Sequence, residues 1–546
     1  VTAPEPVSAE GAPRTLWELF ARSVELHGDR AALITADARW SYAELDAWVD
    51  AHARALVAAG VTKGARVGLW MENDPEWVAV ALAATSIGAV LVPVSTFAKA
   101  DDLAYHLRMA DVSHLLMTRS FLGSDYLAML SSVAPGIAEG PSRPGGPLLI
   151  EELASLRSVV VRGSEGQLPP GCVRWDDHLC AGDAVPAAVL SGLRAELDPD
   201  DDCYLLTTSG TTARPKGVLH DHRTLARNGF LIGELQALVP EDVVWFYFPL
   251  FFSAGCINVM LGTLSHGSAL IVQASFDPPE ALELIEREGA TAWHLWLHQL
   301  NKLMAEPGWS TRDHSHLHKG TAPFDMFVEG LPEGHPGGVN MYGMTETATA
   351  FSCTPAADPI DVRLSTQGHL LPGNEVRIVD PDTGEQMSEG EAGEICVRGA
   401  SLMRRYYKVD PAETFDAEGF FHTGDLGFVD AEGRLHFERR LKDVIKTGGI
   451  NVSPAEVESA LQGLPGVEVA HVFAVPDADR GEVVGAALVV TDPATFDAGA
   501  ATTWWAEHLP AHKRPGRYLV LTEAEVPMTG SGKVRKHELR DRLLRS

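Results

Sequence analysis

Leu205-Leu206-Thr207-Thr208-Ser209-Gly210-Thr211-Thr212-Ala213-Arg214-Pro215-Lys216-Gly217 gathers hydroxyls, two glycines and a lysine behind an apolar lead-in. The lead-in from residue 203 to 206 reads as the end of a strand. The loop after it can point backbone N–H groups and hydroxyls at phosphate oxygens, with Lys216 as a mobile cation. Thr207, Thr208, Ser209, Gly210, Thr211, Thr212 and Lys216 are therefore candidate phosphate ligands. A Walker A loop requires G-x4-G-K-[ST]; here Lys216 stands six residues after Gly210 and precedes Gly217, so that motif is excluded. A solvated Ser/Thr/Gly turn shares the composition, and the loop has to be judged with the rest of the chain.

Upstream, apolar residues at helical spacing over 16–26, 41–59, 75–87 and 101–110 alternate with short apolar stretches at 31–35, 67–70, 90–94 and 114–117. Such alternation predicts a parallel sheet covered on both faces. The apolar run 78–94 is shorter than a membrane span and is broken by Thr85, Ser86, Gly88 and Pro93; a buried helix running into a buried strand explains it. Residues 134–146 and 163–171 are rich in Pro, Gly and Ser and read as surface loops.

The length of 546 residues exceeds what one hydrophobic core supports, so two or more domains are expected. Against 44 Lys and Arg stand 74 Asp and Glu, a formal net charge of −30, which disfavours a nucleic-acid partner or an anionic membrane surface. A polyanionic ligand must find local cations within a repulsive field. The six cysteines are scattered without a C-x-x-C and read as reduced thiols of a cytoplasmic protein rather than a disulfide framework or zinc site. Residues 1–14 lack the basic segment and apolar core of a signal peptide.

Downstream, Met341-Tyr342-Gly343-Met344-Thr345-Glu346 sets an aromatic beside a glycine, a hydroxyl and a carboxylate. The ring can stack on a purine, Thr345 can bond a phosphate or cap a helix, and Glu346 suits magnesium. Residues 291–304 read as a helix with His294 and His298 one turn apart. His314, His316 and His318 alternate as on one side of a strand. Neither histidine group carries the further ligands that a metal site needs. Ser453-Pro454-Ala455-Glu456 reads as a helix start with a capping box, followed by strands at 467–475 and 485–490 and a helix at 504–509.

In this order the stretches closely resemble the motifs of the adenylate-forming superfamily, which includes acyl-CoA synthetases, luciferases and peptide-synthetase adenylation domains. The resemblance runs over residues 15–542. It implies that the 205–217 loop clasps the triphosphate of ATP, that Thr321, Ala322 and Pro323 lie along the adenine, and that Tyr342 and Gly343 flank it. Thr345 meets the α-phosphate and Glu346 holds Mg2+. In Phe421-His422-Thr423-Gly424-Asp425-Leu426-Gly427, Asp425 takes both ribose hydroxyls, a task for a carboxylate with two acceptor oxygens, and Arg440 meets ribose or phosphate. Lys442 falls on the hinge, Lys446 belongs to the region brought up for thioester formation, and Gly448 and Gly449 leave room for the pantetheine arm of CoA, although a plain turn explains the glycines equally. In Pro527-Met528-Thr529-Gly530-Ser531-Gly532-Lys533, Lys533 is the catalytic lysine of adenylation. Two departures stand out: Arg439 replaces a usual glycine, and Phe252 stands where the family commonly has histidine.

The resulting expectation is an α/β chain. A large N-terminal domain (1–441) of layered subdomains with mostly parallel sheets carries a small mobile α+β domain (442–546). It activates a carboxylic acid with ATP to acyl-AMP and transfers the acyl group to CoA. Phe248, Phe251, Phe252, His294 and Met344 border the acyl pocket, and its aromatics favour a bulky hydrophobic, aromatic or polycyclic acid over acetate. A separate carrier protein as acceptor and a silent nucleotide-binding regulator are the alternatives; the oligomeric state, a homodimer included, stays open.

Overall fold

The Ser41 hydroxyl accepts the N–H of Glu44 while the Glu44 carboxylate accepts the N–H of Ser41. This capping box starts the helix Tyr42–Ala58, whose Leu45, Val49, Ala53 and Leu56 enter the core. Asp74 caps the helix Pro75–Ser86 by accepting the Glu76 N–H, with proline in the first turn. That helix is buried on every side and leads to the buried strand Val90–Pro93, as its uniform hydrophobicity predicts. The computed structural model describes residues 11–143, 146–163, 166–208, 215–321, 338–381, 383–441, 445–527 and 534–545. Ser209, Gly210, Thr211, Thr212, Ala322, Pro323, Lys442 and Lys533 lie outside them.

Two large sheets organise the first part of the chain. In one, Asp202–Thr208, Val90–Pro93, Arg66–Trp70, His114–Thr118, Ser158–Arg162 and Cys172–Arg174 run parallel in that order, and Lys216–Asp221 and then Arg405–Tyr406 add antiparallel at the Asp202–Thr208 edge. In the other, Lys319–Thr321, Ala292–His294, Val243–Phe246, Ala269–Ile271 and Ala31–Ile34 are parallel, with Arg39–Ser41 antiparallel at the edge. Helices between them share one apolar core that includes Phe20, Trp77, Phe246 and Met260. A four-stranded antiparallel sheet, Asn374–Val379, Gly393–Gly399, Phe421–Val429 and Leu435–Arg440, follows.

From Ile445 onward the chain builds its own sheet, with Val467–Asp477 and Gly481–Val490 pairing antiparallel over their length and Arg517–Leu521 parallel to the latter. Its two cores, around Val472 with Trp505 and around Phe473 with Leu539, contain only residues from 445 to 543. No helix among the described residues is long and apolar enough to cross a membrane.

Several expectations need correction. Residues 291–304 are not one helix. Ala292–His294 is a strand paired on both sides in the parallel sheet, and a helix begins only at Leu297. Sheet pairing prevails over helical periodicity there, so His294 and His298 do not share a helix face. The 314–318 segment is a turn before the strand Lys319–Thr321: His314 stacks on Trp309 and the His318 ring lies against the His316 carbonyl. Ser453 caps its helix through the Glu456 N–H, but the Glu456 carboxylate is drawn to Lys513 instead of closing a capping box. Thr345 is not an N-cap; Met344 holds that position, and its N–H donates to Thr347 Oγ1.

Candidate active site

Thr208 and Lys216 face each other at the open end of the antiparallel pair Asp202–Thr208 and Lys216–Asp221. Neither strand is an edge of its sheet: Val90–Pro93 flanks the first and Arg405–Tyr406 the second. Lys216 Nζ stands 4.4 Å from the ring centroid of Tyr406 on the neighbouring strand, within cation–π range. On the same ring, Tyr406 Oη donates to Glu346 Oε1 at 2.7 Å. Burial, with Glu346 beside it, pushes the Tyr406 phenol well above its usual range, so it remains a donor. One tyrosine thereby ties the loop's lysine to the carboxylate of the second motif.

The turn that carries Thr345 and Glu346 is fixed from beneath. Asn228 Nδ2 donates to the carbonyls of Thr347, Ala348 and Ala350 at 3.0 to 3.3 Å, and Asn228 Oδ1 accepts from Ser401 Oγ at 3.0 Å. Ala348 and Thr349 adopt left-handed φ of 47° and 69°, uncommon for residues with a Cβ. Gly343 lets the chain pass so close that an added Cβ would overlap the Thr349 carbonyl. His220, fully buried, donates from Nε2 to the Thr345 carbonyl at 2.7 Å. Burial pushes its pKa down to about 4, so the ring is neutral.

Tyr342 Oη donates to Asp425 Oδ2 at 2.9 Å, and its ring packs against Phe437 at 5.9 Å. Asp425 is 2% exposed and pairs in register with Arg440. Tyr342, 83 positions before Asp425, thereby joins one end of the site. Lys446 Nζ lies 5.0 Å from the Phe437 centroid, which puts the small domain's first strand beside the same aromatic pair.

A cavity of about 210 Å³ joins the motifs. Thr207, Thr208, Phe252, Trp296, Gly343, Met344, Thr345, Gly449 and Ile450 are among its lining residues. Phe252 is followed by a π-helix, Ala254–Leu261, a form of helix that collects at functional sites. Phe248 packs on Trp296 at 4.9 Å, and Phe251 packs on Phe252 at 4.5 Å. His294 stands behind Phe248 with centroids 6.2 Å apart and Nδ1 2.7 Å from Thr321 Oγ1; burial holds it neutral, pushed down to about 3. Gly320 is needed next to that pair because its φ of 109° and the Trp293 carbonyl leave no place for a Cβ.

The small domain closes one wall. Gly448 and Gly449 have φ of 55° and 78° in the turn between Ile445–Thr447 and Ile450–Val452, and the turn meets Trp296 and the Thr345 motif. A second, smaller cavity of about 80 Å³ lies along the seam between the domains. It shares Thr207, Thr208, Phe252 and Ile450 with the first and adds His106, His512 and Lys513.

Residues 20–407 match the family described as AMP-binding enzyme, and residues 456–533 match the AMP-binding enzyme C-terminal domain. The chain belongs to the AMP-binding enzyme family. Among similar proteins, the acyl-CoA ligase sidI of Aspergillus fumigatus is 32% identical over 96% of this chain and 90% of its own. The 3-[(3aS,4S,7aS)-7a-methyl-1,5-dioxo-octahydro-1H-inden-4-yl]propanoyl:CoA ligase of Rhodococcus jostii is 31% identical over 97% of this chain and 99% of its own. The amide bond synthetase McbA of Marinactinospora thermotolerans superposes with a TM-score of 0.77 at 26% identity, over 96% of this chain and 99% of that one.

As an adenylate-forming AMP-binding enzyme, the chain brings together Thr207, Thr208, Lys216, Tyr342, Gly343, Met344, Thr345, Glu346, Asp425 and the Gly448–Gly449 turn, all singled out from the sequence. Sequence reading missed Asn228, Tyr406 and the role of Trp296 as a wall. Tyr406 carries no local signal. Asn228 could have been suspected as an amide among Leu225, Leu231 and Ile232 on the buried face of the helix His222–Leu235.

Proposed function

We propose that this AMP-binding enzyme joins a bulky hydrophobic, aromatic or polycyclic carboxylic acid to CoA through an acyl-adenylate. The carboxylate oxygen attacks the α-phosphorus of ATP, pyrophosphate leaves, and the thiol sulfur then attacks the acyl carbonyl, releasing AMP. The observation that carries the reading is the seating of Gly449 and Ile450 against the cavity lined by Thr207, Thr208 and Thr345. In that seating the small domain's thioester-associated turn stands at the nucleotide motifs of the large one.

The chain's own groups divide the work. Thr207, Thr208 and the 209–214 loop with Lys216 bind phosphate. Tyr406 holds Glu346 beneath the loop's cation, and Tyr342 orients the Asp425 carboxylate toward the ribose. Glu346 and the Thr345 hydroxyl are hard oxygen donors of the kind magnesium takes alongside substrate phosphates, so Glu346 would hold a magnesium ion that offsets phosphate charge. Positioning and charge compensation, rather than a covalent nucleophile, supply the rate enhancement. Lys533 would orient the carboxylate and α-phosphate during adenylation, and Lys442 would be the pivot between the two arrangements. The separate core from Ile445 onward supports a boundary at 441/442.

The aromatics Phe248, Phe251, Phe252 and Trp296 support a bulky acid, as does the relative that acts on a bicyclic propanoyl acid. The test is turnover with ATP, magnesium and a panel of carboxylic acids, with and without CoA, reading pyrophosphate, AMP and thioester by mass. Thioester formed only when CoA is present is the expected result. Pyrophosphate and adenylate without thioester would replace CoA by another acceptor, such as a carrier-protein thiol.

A further inference from the structure

Gly449 is a glycine for a reason that its own turn does not supply. Besides its left-handed φ, a Cβ built on it would overlap Nε1, Cδ1 and Cε2 of the Trp296 indole. The small domain therefore seats directly on the pyrrole side of that ring. Trp296 in turn is wedged among the acyl-side aromatics, 4.9 Å from Phe248 and 6.5 Å from Phe252 by ring centroids. Its backbone is pinned as well: Trp296 N–H donates to Gln299 Oε1 at 2.9 Å, and Gln299 Nε2 donates to the Tyr247 carbonyl at 3.3 Å. The indole lines the 210 Å³ cavity beside Met344 and Thr345, so whatever occupies that cavity touches one part of the ring while Gly449 covers another.

We propose that Trp296 is a specificity-determining positioning residue, through which the bound acyl group sets whether the small domain can seat for thioester formation. The inference rests on the acyl-CoA reading above and deepens it. An acyl group that leaves the indole against Phe248 and Phe252 preserves the surface that Gly449 needs. One that displaces the ring by even a fraction of an ångström closes that surface, because the contact has no slack. Acid selection is then exercised twice, once when the adenylate forms and again when the acceptor is admitted.

A paired substitution tests the contact. Gly449→Ala places a methyl in the indole, and overpacking of this kind costs about tenfold or more in the seated population. Trp296→Ala in the same chain removes the obstacle, so the double variant should recover about tenfold over Gly449→Ala, short of full recovery because alanine at positive φ stays strained. Two readouts are used. Small-angle scattering of the ligand-free chain follows the seated arrangement without any acid, and thioester formation from pre-made acyl-AMP, with pyrophosphate exchange alongside, follows the chemistry. Trp296→Ala alone should shift acid preference in the thioester step toward bulkier acids, whereas a merely structural role would lower both half-reactions for every acid alike. A Gly449→Ala chain that seats normally, or a double variant no better than Gly449→Ala, would overturn the proposal. Absence of any thioester in the unsubstituted enzyme would overturn the acyl-CoA reading instead, and scattering would still decide the contact.

Discussion

Two tight turns meet at the site, and they are held in opposite ways. The turn at 343–350 rests on Asn228, which occupies three of its carbonyls, on the Met344–Thr347 cap and on the His220 bond to Thr345. The turn at 448–449 has the Gly448 N–H bond to the Arg480 carbonyl, the Lys446 N–H bond to Glu482 and the face of Trp296. Every prop of the first comes from the large domain. The second is tied to its own domain by hydrogen bonds and to the large domain by surface fit. The first turn is over-determined by hydrogen bonds from its own domain, and the second meets the large domain by shape alone, as the proposed alternation of the small domain requires.

The comparison can be broken hardest at Lys533, which belongs to the moving side. Lys533→Ala should slow adenylation by roughly 10²–10³-fold, the range for loss of one transition-state donor, and spare thioester formation from pre-made acyl-AMP. Equal loss in both half-reactions, measured by pyrophosphate exchange and thioester release, would remove it from the adenylation step. On the fixed side, Asn228→Ala leaves three buried carbonyls without their donor. We expect a stability loss of about 2 kcal/mol in urea unfolding, at about 1 kcal/mol for each of the two N–H groups that the three carbonyls share, and a loss of adenylation with it. Retained adenylation in a destabilised chain would show that the turn does not depend on this prop.

The seam adds a pH dependence to the moving side alone. Burial, opposed by Asp102 and aided by Lys513, pushes His106 down to about 4. Burial with Lys513, Arg480 and Arg514 pushes His512 down to about 3, where its ring packs edge-on to Phe97 at 5.5 Å. Separation of the domains relieves the burial of each ring and takes Lys513 away from His106, while Lys513, Arg480 and Arg514 stay with His512, so both rings rise part of the way toward the ordinary value and the separated form binds more protons. Seating is therefore undiminished above about pH 6.5 and loses up to about tenfold per ring for the first pH unit below it. The ratio of thioester formation to pyrophosphate exchange between pH 8 and 5.5 should fall accordingly, and His512→Gln should flatten the fall. Smallest of all, Tyr406→Phe removes one hydrogen bond to Glu346, worth about 1 kcal/mol. A roughly fivefold drop in adenylation with unchanged seating is expected; an effect on seating would mean that the two turns are coupled through this ring.

The parallel alternation of the first 120 residues was readable because helix and strand periods differ and caps such as Ser41 with Glu44 announce themselves. The motif residues were readable because phosphate, ribose and carboxylate chemistry narrows the side chains that can serve. The stretch around His294 misled because a short buried strand and a buried helix both present continuous apolar residues, and only pairing with Val243–Phe246 and Lys319–Thr321 decides between them. Tyr406 and Asn228 escaped for another reason. They act on backbone or on a partner at least 60 positions distant, and no local pattern records such a contact.

The two adjoining cavities share Thr207, Thr208 and Phe252 from the large domain and Ile450 from the small one. An acceptor arriving along the seam would thus meet a corridor whose fourth wall exists only while the small domain is seated. If the small domain seats only after the adenylate has formed and pyrophosphate has left, as the proposed function has it, the thiol finds its corridor only then. Initial-rate plots would then run as parallel lines, one reaction handing over to the next, with the timetable kept by the domain swing rather than by affinity.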